Sequence, residues 1–289
     1  PSAGSCDISV SRETFFISLP ENISYNLSEV FIMTLVSAVT MQKGGVGKTT
    51  TAINLAAGLA LGDYETLLID LDPQANATGG LGCDNYRGPG IYELLFGTAD
   101  FADACKPTSI DGLSLLPADI ELNGARAEMP RQNSNFRELS NQLAEIKNQF
   151  ERIIIDCPPS LGPLTLNALL FADSVIIPLQ SEYYALQGLS QLWETVQRIK
   201  DNLNEKLYVS GILLTMHDER TNLANDVKSE VEKYFEELVL KTTIPRNVRI
   251  SEAPGFGKPV ITHAPCCRGS IAYLRACEEV ICREQHRTG

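Results

Sequence analysis

Residues 43–50 read Lys43-Gly44-Gly45-Val46-Gly47-Lys48-Thr49-Thr50, a glycine- and lysine-rich stretch that indicates the architecture of the whole chain. An apolar run, Leu35 to Val39, precedes it, and an alanine- and leucine-rich run, Thr51 to Leu61, follows it. Glycines allow the backbone to curl so that several N–H groups point at one anion, and a helix N-terminus adds partial positive charge. The stretch therefore predicts a strand, a phosphate-binding loop and a helix in succession.

Within this loop, the chemistry of a nucleotide gives separate roles to the side chains. Lys48 is predicted to reach the β- and γ-phosphates, and the Thr49 hydroxyl is predicted to ligate Mg²⁺. Gln42 stands where the usual G-x-x-x-x-G-K-T pattern has its first glycine, and an additional lysine, Lys43, follows it. That lysine is either a solvated loop residue or a second charge for the γ-phosphate, even in a neighbouring subunit. The predicted nucleotide-binding residues of the loop are Lys43, Gly44, Gly45, Val46, Gly47, Lys48, Thr49 and Thr50. The alternative is a glycine-rich turn that binds nothing.

The composition is that of an ordinary globular protein. Hydrophobic residues make up 44% and charged residues 21% of the 289 residues, which excludes bulk disorder and low-complexity fibres. No apolar run reaches the roughly 18 residues of a spanning helix. The net charge of −12 argues against coating of nucleic acid by bulk electrostatics, but it leaves a local basic face open. The spacing of the eight cysteines fits no secreted disulfide framework, which predicts a reducing, cytoplasmic environment.

Residues 1–32 differ from the rest of the chain. They are polar and show no sustained hydrophobic period, so we expect a poorly ordered N-terminal extension, with Met33 as the natural initiator. A targeting peptide is the alternative, but the segment has a weak apolar region and no basic start. No linker or repeat interrupts the later sequence, which predicts a single domain over residues 33–289.

Apolar runs and helical patterns alternate after Met33, which predicts an α/β fold: a doubly wound, mostly parallel sheet flanked by helices. The predicted strands are Thr34–Met41, Thr66–Asp70, Leu113–Leu116, Arg152–Asp156, Ser174–Pro178, Tyr208–Thr215 and Val239–Ile244. Apolar residues at steps of three and four predict helices over Phe136–Phe150, Leu186–Ile199, Leu223–Leu238 and from Ser270 onward.

Acidic residues stand at two strand ends, where a metal–nucleotide site needs carboxylates. Asp156 ends the Ile153–Ile155 run, which favours a role at Mg²⁺ through water over a role as a turn or cap residue. Asp70 ends another predicted strand and Asp72 follows it. We expect the two acids to point to opposite sides, so that only one faces the phosphates. The residues alone do not select between them.

Several further motifs, taken together with the loop, carry a family resemblance. The loop resembles the deviant P-loop of the ParA/MinD superfamily, and the other motifs resemble the ParA/Soj partitioning ATPases. The resemblance covers about Met33 to Ile281. The motifs are Asp70-Leu-Asp-Pro-Gln-Ala-Asn76, Ile155-Asp-Cys-Pro-Pro-Ser160, Glu182-Tyr-Tyr-Ala-Leu-Gln-Gly188, Met216-His-Asp-Glu-Arg-Thr-Asn222, Ile244-Pro-Arg-Asn-Val-Arg249 and Ser251-Glu-Ala-Pro254.

The resemblance implies a P-loop ATPase that uses ATP and Mg²⁺. It selects Asp72 as the switch I aspartate that orients the hydrolytic water. It also implies that Lys43 reaches across a nucleotide-sandwich homodimer. The implied catalytic residues are Lys43, Lys48 and Asp72. The implied metal site comprises Thr49, Asp72 and Asp156. The implied adenine contacts are Met216, Pro245 and Asn247.

The resemblance also implies partners. The ATP-bound dimer is expected to bind double-stranded DNA without sequence preference, through arginines in two loops. The implied DNA-binding residues are Arg220, Arg246 and Arg249; scattered, solvated arginines are the alternative. Slow ATP hydrolysis, stimulated by a ParB-like centromere-binding protein, would drive chromosome or plasmid partition. The protein would then be cytoplasmic, on the nucleoid when ATP-bound, and without stable membrane association.

Two other functions in the same superfamily remain as alternatives. A MinD-like, membrane-associated regulator of division-site placement would need a basic amphipathic C-terminal helix, but the acids of Ser270–Arg287 balance its basic residues. An iron–sulfur carrier would need clustered cysteines, and adjacent Cys266 and Cys267 fit ligand spacing poorly. With Cys277 and Cys282, these cysteines are predicted to be buried small hydrophobes.

Overall fold

A computed structural model describes residues 34–84, 86–128, 137–183 and 185–288. Seven strands in these ranges form one sheet, in the order β3-β4-β2-β5-β1-β6-β7. The strands are β1 Leu35–Val39, β2 Thr66–Asp70, β3 Lys106–Pro107, β4 Leu113–Leu116, β5 Arg152–Asp156, β6 Ser174–Gln180 and β7 Tyr208–Thr215. All neighbouring strands are parallel except β3 and β4. The predicted N-terminal extension, residues 1–32, lies outside the described residues.

Helices cover both faces of the sheet, which confirms the doubly wound α/β prediction. They are α1 Lys48–Leu61, α2 Asn76–Gly80, α3 Ile91–Leu95, α4 Phe101–Ala104, α5 Leu122–Glu128, α6 Glu138–Leu143, α7 Pro163–Phe171, α8 Ala185–Asn202, α9 Asn222–Phe235, α10 Val248–Glu252, α11 Val260–His263 and α12 Arg268–Thr288. Short 3₁₀ turns lie at Lys147–Gln149, Glu236–Leu238 and Ala253–Phe256.

The two faces bury separate hydrophobic clusters because successive strand residues point to opposite sides. Val36 and Ala38 of β1 join the cluster that includes α3, α6, α7 and α8, while Val39 joins the cluster that includes α1, α11 and α12. The continuous apolar runs of β2 and β5 are buried throughout or almost throughout, as expected for parallel strands covered twice.

Strands β1 and β5 are neighbours, and the connection that leaves β1 leads to β2 on one side, whereas the connection that leaves β5 leads to β6 on the other. Ligand sites of open parallel sheets lie in the crevice at such a point. The register places Val39 beside Asp156, and Asp156 beside Asp70, so the ends of β1, β5 and β2 meet at one edge.

The predicted strand Val239–Ile244 is wrong as a strand. Its backbone touches β7 only through Leu240 N to Ile212 O (2.9 Å) and Ile244 N to Leu214 O (2.8 Å). Between these contacts, the N–H groups of Lys241 and Thr242 donate to the Glu279 carboxylate on α12, at 2.7 and 2.9 Å. Glu279 therefore draws the segment away from regular pairing.

The predicted helix over Phe136–Phe150 is shorter than the pattern indicated. Helix α6 ends at Leu143, and a 3₁₀ turn at Lys147–Gln149 follows. The Thr34 hydroxyl lies within hydrogen-bond distance of the Lys147 and Phe150 carbonyls, which brings this end of the segment under β1. The pattern does place Leu139 and Leu143 in the core.

The cysteine prediction is right for one residue and wrong for two. Cys277 is buried, but Cys266 and Cys282 are exposed, and Cys267 is partly buried. Cys282 follows Cys277 by five residues, which turns it to the far side of a helix with 3.6 residues per turn. No disulfide joins the cysteines of the described ranges.

Candidate nucleotide site

The loop between β1 and α1 has the backbone that phosphate binding requires. Gly45 and Gly47 adopt φ of 76° and 85°, a region that disfavours side chains. Helix α1 begins at Lys48 with no side-chain cap and no acidic residue in its first turn, so its N-terminal amides have no carboxylate of that turn to compete with an anion. The Thr215 hydroxyl donates to the Val46 carbonyl at 2.7 Å and ties the loop to the end of β7.

A cavity of about 690 Å³ opens over this loop. Ten of the predicted nucleotide-binding or metal residues line it: Gly44, Gly45, Gly47, Lys48, Thr49, Thr50, Asp72, Met216, Pro245 and Asn247. Segments far apart in sequence therefore meet at one site. Three predicted residues do not line the cavity: Lys43, Val46 and Asp156. The Val46 side chain points into the core.

Lys48 is buried at the floor of the cavity. Its ammonium group donates to the Lys43 carbonyl at 3.0 Å, so the loop's own backbone holds it in place. Burial lowers the pKa of Lys48, while the neighbouring carboxylates of Asp156 and Asp72 act to raise it. The ammonium group therefore lies between the loop and two acids.

Asp156 is completely buried, and neither of its carboxylate oxygens has a hydrogen-bond partner within the described part of the chain. Burial raises its pKa, the nearby Asp70 carboxylate raises it further, and the Thr49 hydroxyl and Lys48 ammonium act in the opposite direction. A buried carboxylate that lacks well-formed hydrogen bonds is costly unless a cation compensates it. The residues thus fit Mg²⁺ between Thr49 and Asp156.

The structure separates the two acids that the strand pattern left open. Asp72 lines the cavity, whereas Asp70 is fully buried behind it. Burial raises the pKa of Asp70 to about 6, even though hydrogen bonds from Thr78 and the Asp72 backbone lower it. One Asp72 oxygen accepts the Gln74 N–H at 3.0 Å, which orients the carboxylate.

Lys43 lies beside the cavity and pairs with Glu182, just after β6. The side chains of Lys43 and Glu182 are 36% and 46% exposed, so the pair sits at the surface. Gln180 donates to the other Glu182 oxygen. The motif that contains Glu182 thus meets the loop lysine within one chain.

The predicted adenine contacts, Met216, Pro245 and Asn247, belong to two loops that line the cavity. Met216 has φ of 49°, and the following His217 N–H donates to the Ile244 carbonyl at 2.9 Å, which joins the two loops. The Asn247 side chain caps α10 by accepting the Arg249 N–H at 2.8 Å. Pro245 lies between these contacts, so both loops are held against each other.

The three predicted DNA-binding arginines are exposed, but two are engaged by neighbouring acids. Arg220, with an 88% exposed side chain, binds both Asp218 oxygens at 2.8 and 2.7 Å. Arg249, with a 61% exposed side chain, pairs with Glu252 at 2.9 Å. Arg246 lines the mouth of the cavity. The arginines therefore do not form an unopposed basic patch in this chain.

Sequence reasoning missed several residues that line the cavity. Gln74 and Asn76 belong to a quoted motif, which was the available signal. Thr215 and Tyr273 had no such signal, since the first ends β7 and the second belongs to α12. The Tyr273 hydroxyl lies 3.4 Å from the Thr51 hydroxyl, and burial raises its pKa.

Among the described residues, one other group of three carboxylates clusters: Glu93, Asp119 and Glu121. Two of them have structural roles, because Glu93 accepts the Gly90 N–H at 2.8 Å and Asp119 accepts the Glu121 N–H at 2.9 Å. The described cysteines and histidines form no comparable group. None of the helices in the described ranges has the length and apolar character needed to cross a membrane.

Comparison with known proteins agrees with this geometry. A family model described as an AAA domain matches residues 34–209. The chain is 50% identical over 246 residues to the sporulation initiation inhibitor protein Soj of Bacillus subtilis, covering 85% of this chain and 97% of that one. It is 49% identical over 251 residues to the chromosome partitioning protein ParA of Myxococcus xanthus, covering 86% and 88%.

Solved structures share the fold. One is named cobyrinic acid a,c-diamide synthase from Mycobacterium smegmatis with bound ADP and magnesium; it has a TM-score of 0.76 and 37% identity, and covers 88% of this chain and 96% of that one. The cell division ATPase MinD of Pyrococcus furiosus has a TM-score of 0.71 at 24% identity, covering 86% and 99%, which shows the fold alone. The two relatives that are about 50% identical to this chain are a sporulation initiation inhibitor and a chromosome partitioning protein. The chain belongs to the ParA/Soj family of chromosome-partitioning P-loop ATPases.

Proposed function

We propose that this chain is an ATP-dependent dimerising switch that binds DNA non-specifically and drives chromosome or plasmid partition through slow, partner-stimulated ATP hydrolysis. The observation that carries the proposal is the single cavity of about 690 Å³ in which the P-loop, Asp72 and the Met216 and Pro245 loops meet. Its ligands are ATP and Mg²⁺. Polar residues of the P-loop line the part of the site proposed for the phosphates. Both apolar and polar residues of the two loops line the part proposed for the base.

Phosphate binding rests on the loop amides, the N-terminus of α1 and Lys48. The Lys48 ammonium group now donates to the Lys43 carbonyl, and a phosphate oxygen would replace that carbonyl as its acceptor. The bond from the ammonium group to a phosphate oxygen joins two opposite charges, whereas the bond to the carbonyl has a charge on the donor alone, so the exchange favours the bound state. Lys48 therefore serves as the main electrostatic contact to the β- and γ-phosphates.

Mg²⁺ would be held by the Thr49 hydroxyl and by Asp156, acting through water, with Asp72 nearby. When bound, the ion neutralises phosphate charge. Asp72 lines the cavity with its carboxylate held by the Gln74 N–H, which suits a residue that orients the attacking water. This division of labour gives Asp156 and Asp72 distinct tasks.

Lys43 is proposed to act across a homodimer. Its side chain is partly exposed beside the cavity and is held by Glu182 of the same chain. Because exposed ion pairs contribute only about 0.2–1 kcal/mol, the phosphates of a partner subunit can compete for this lysine. Dimerisation would then exchange an internal ion pair for an intermolecular one.

DNA binding is proposed to depend on that dimer. The net charge of −12 opposes binding by one copy, and Asp218 and Glu252 already neutralise two of the three arginines. Two copies double the number of phosphate contacts, and affinity for DNA rises steeply with that number. The protein would therefore be cytoplasmic, and on the nucleoid only when ATP-bound.

The membrane-associated alternative receives no support from the last helix. The apolar residues of α12, including Tyr273, Ala276, Val280 and Ile281, pack into the core against α1 and α11. An interfacial helix needs such a face for the bilayer. The packing therefore favours the partitioning function, with a ParB-like centromere-binding protein as the stimulating partner.

The proposal is tested with Gly44→Val and Arg249→Ala. A Cβ at Gly44 would meet no described atom within 4 Å, so valine should fold, retain some nucleotide binding and block close approach of a second subunit. Arg249→Ala should dimerise but lose DNA affinity. Duplex DNA of arbitrary sequence is offered in a mobility-shift assay at two salt concentrations, with ATP or ADP, and Arg198→Ala on α8 serves as the control. Equal binding with ATP and ADP would refute the coupling.

A further inference from the structure

Asp70 holds the start and the end of one short segment. One oxygen of its buried carboxylate accepts the Asp72 N–H at 3.2 Å. The other accepts both the N–H and the hydroxyl of Thr78, each at 2.8 Å. A single carboxylate thus connects the end of β2 to α2, with residues 72–78 as the loop between these anchors.

Thr78 extends this connection to the neighbouring strand. Its hydroxyl oxygen accepts the Ala118 N–H at 3.0 Å, just beyond the end of β4. The Thr78 side chain is 3% exposed and Asp70 is fully buried, so water does not compete for these hydrogen bonds. The hydroxyl therefore both donates to Asp70 and accepts from the backbone after β4.

The segment that these contacts enclose lines the nucleotide cavity. Asp72, Gln74 and Asn76 face that cavity, while the Ala75 N–H donates to the Asp72 carbonyl at 2.8 Å. Ala75 has φ of 52°, a left-handed conformation that an alanine adopts only when its surroundings impose it. The turn is therefore held in a conformation that its own residues do not prefer.

We propose that Asp70 and Thr78 are positioning residues that hold the turn at Asp72 in its working geometry. The inference rests on the proposed ATPase function, because Asp72 is the residue whose position matters. Asp70 does not line the cavity, and it contacts the turn through the backbone of Asp72 and through Thr78. A displacement of about 1 Å at a reacting group can lower a rate by two orders of magnitude.

The test compares Thr78→Val with Thr78→Ser. Valine has the shape of threonine but removes both hydroxyl hydrogen bonds, whereas serine retains them. We expect Thr78→Val to lower kcat at least about tenfold, with the Kd for ATP within about threefold of wild type, and Thr78→Ser to restore kcat. Thr66→Val is the matched control, since Thr66 is a buried threonine at the other end of β2 whose hydroxyl bonds only the Tyr64 carbonyl.

A second readout needs no nucleotide. Amide hydrogen exchange of the unliganded protein should be faster at Gln74, Ala75 and Thr78 in Thr78→Val than in wild type, and unchanged in Thr66→Val. If Thr78→Val does not fold, Thr78→Ala, which keeps the Thr78 backbone contact, takes its place. Wild-type kcat and exchange in a folded variant would overturn the inference. A wild-type protein without ATPase activity would instead overturn the proposed function.

Discussion

The Lys43 ammonium group forms an ion pair with the Glu182 carboxylate of the same chain. The family resemblance implies that Lys43 reaches the nucleotide of a partner subunit. In this structure its ammonium group instead pairs with an acid of its own chain. The two side chains come from the P-loop and from the loop after β6, which are separated by well over a hundred residues. Glu182 and the phosphates of a second subunit would therefore compete for the Lys43 ammonium group.

Glu182→Gln is expected to strengthen ATP-dependent dimerisation. Removing the charge of Glu182 releases Lys43, and the gain is at most about 1 kcal/mol, or roughly fivefold in the dimer dissociation constant. Analytical ultracentrifugation with MgATP measures this constant, and Glu194→Gln, which breaks an exposed pair on α8, is the control. A weaker dimer would show instead that Glu182 itself contributes to the subunit interface.

Lys48→Ala is expected to weaken ATP binding by at least about 100-fold, because two charge-assisted hydrogen bonds are lost at a buried position. Titration with a fluorescent ATP analogue measures the affinity. Lys206→Ala, at an exposed position just before the amino end of β7, should bind as wild type does. An unchanged affinity of Lys48→Ala would remove the phosphate-loop interpretation.

Asp72→Ala is expected to keep ATP binding and to reduce turnover by at least about 100-fold, since water orientation is lost while the loop and Lys48 remain. Under the proposed function hydrolysis ends the dimeric state, so the variant should accumulate as a dimer in size-exclusion chromatography with MgATP. Phosphate release gives the rate. Normal hydrolysis in this variant would assign the water to another group.

Asp218→Asn and Glu252→Gln are expected to increase DNA affinity, each by up to roughly fivefold at low salt. Each change releases an arginine that an acid now engages, Arg220 in the first variant and Arg249 in the second. The pKa of Asp218 is lowered to about 2 by its hydrogen bonds with Arg220, so this acid stays charged throughout the usable pH range. Fluorescence anisotropy with labelled duplex and ATP measures the effect, and a fall in affinity would contradict it.

Glu284→Gln is expected to stabilise the protein at pH 8 but not at pH 4. Burial raises the pKa of Glu284 from its ordinary value of 4.5 to about 7, against the opposing effects of Arg152 and Ser37, while Asp173 adds to the rise. The folded protein thus holds this proton more tightly than the unfolded chain. The stability that Glu284 contributes is present below pH 4.5 and is lost as pH rises through about 7.

The expected difference in unfolding free energy is about 3 kcal/mol or less above pH 7. Denaturant unfolding across pH 4 to 8 measures it. The exposed Glu236→Gln variant should show the same pH dependence as wild type. A pH-independent difference between Glu284→Gln and wild type would mean that folding leaves the pKa of Glu284 unchanged.

The local part of the site was predictable because its chemistry lies in consecutive residues. Gly45, Gly47 and Lys48 act through the backbone and a helix N-terminus, and the flanking runs already placed the loop between a strand and a helix. Strand alternation does not explain why Asp70 and Asp72 differ, because residues two apart in a strand share a face. They differ because β2 ends at Asp70, and Asp72 belongs to the turn that follows. The resemblance, however, was needed to select Asp72.

The rest depends on contacts between distant segments. Nothing next to Glu182 predicts its pairing with Lys43, and nothing next to Thr215 predicts its hydrogen bond to Val46. The same cause explains the failed strand at Val239–Ile244, where Glu279, about 37 residues away, captures two backbone N–H groups. Apolar pattern reports burial, but it does not report which acceptor a backbone group finds.

The segment Val239–Ile244 also covers the edge of the sheet at β7. An open sheet edge is a template on which a second chain can add a strand, and proteins guard such edges to avoid aggregation. Here the N–H groups of Leu240 and Ile244 donate to the Ile212 and Leu214 carbonyls of β7. The N–H groups of Lys241 and Thr242 donate to Glu279, so few backbone groups remain for pairing with another strand. This segment continues directly into Pro245 and Asn247, which line the nucleotide cavity. A substitution that breaks these hydrogen bonds would therefore alter the nucleotide site. It would also expose the edge of β7 to pairing with a second chain.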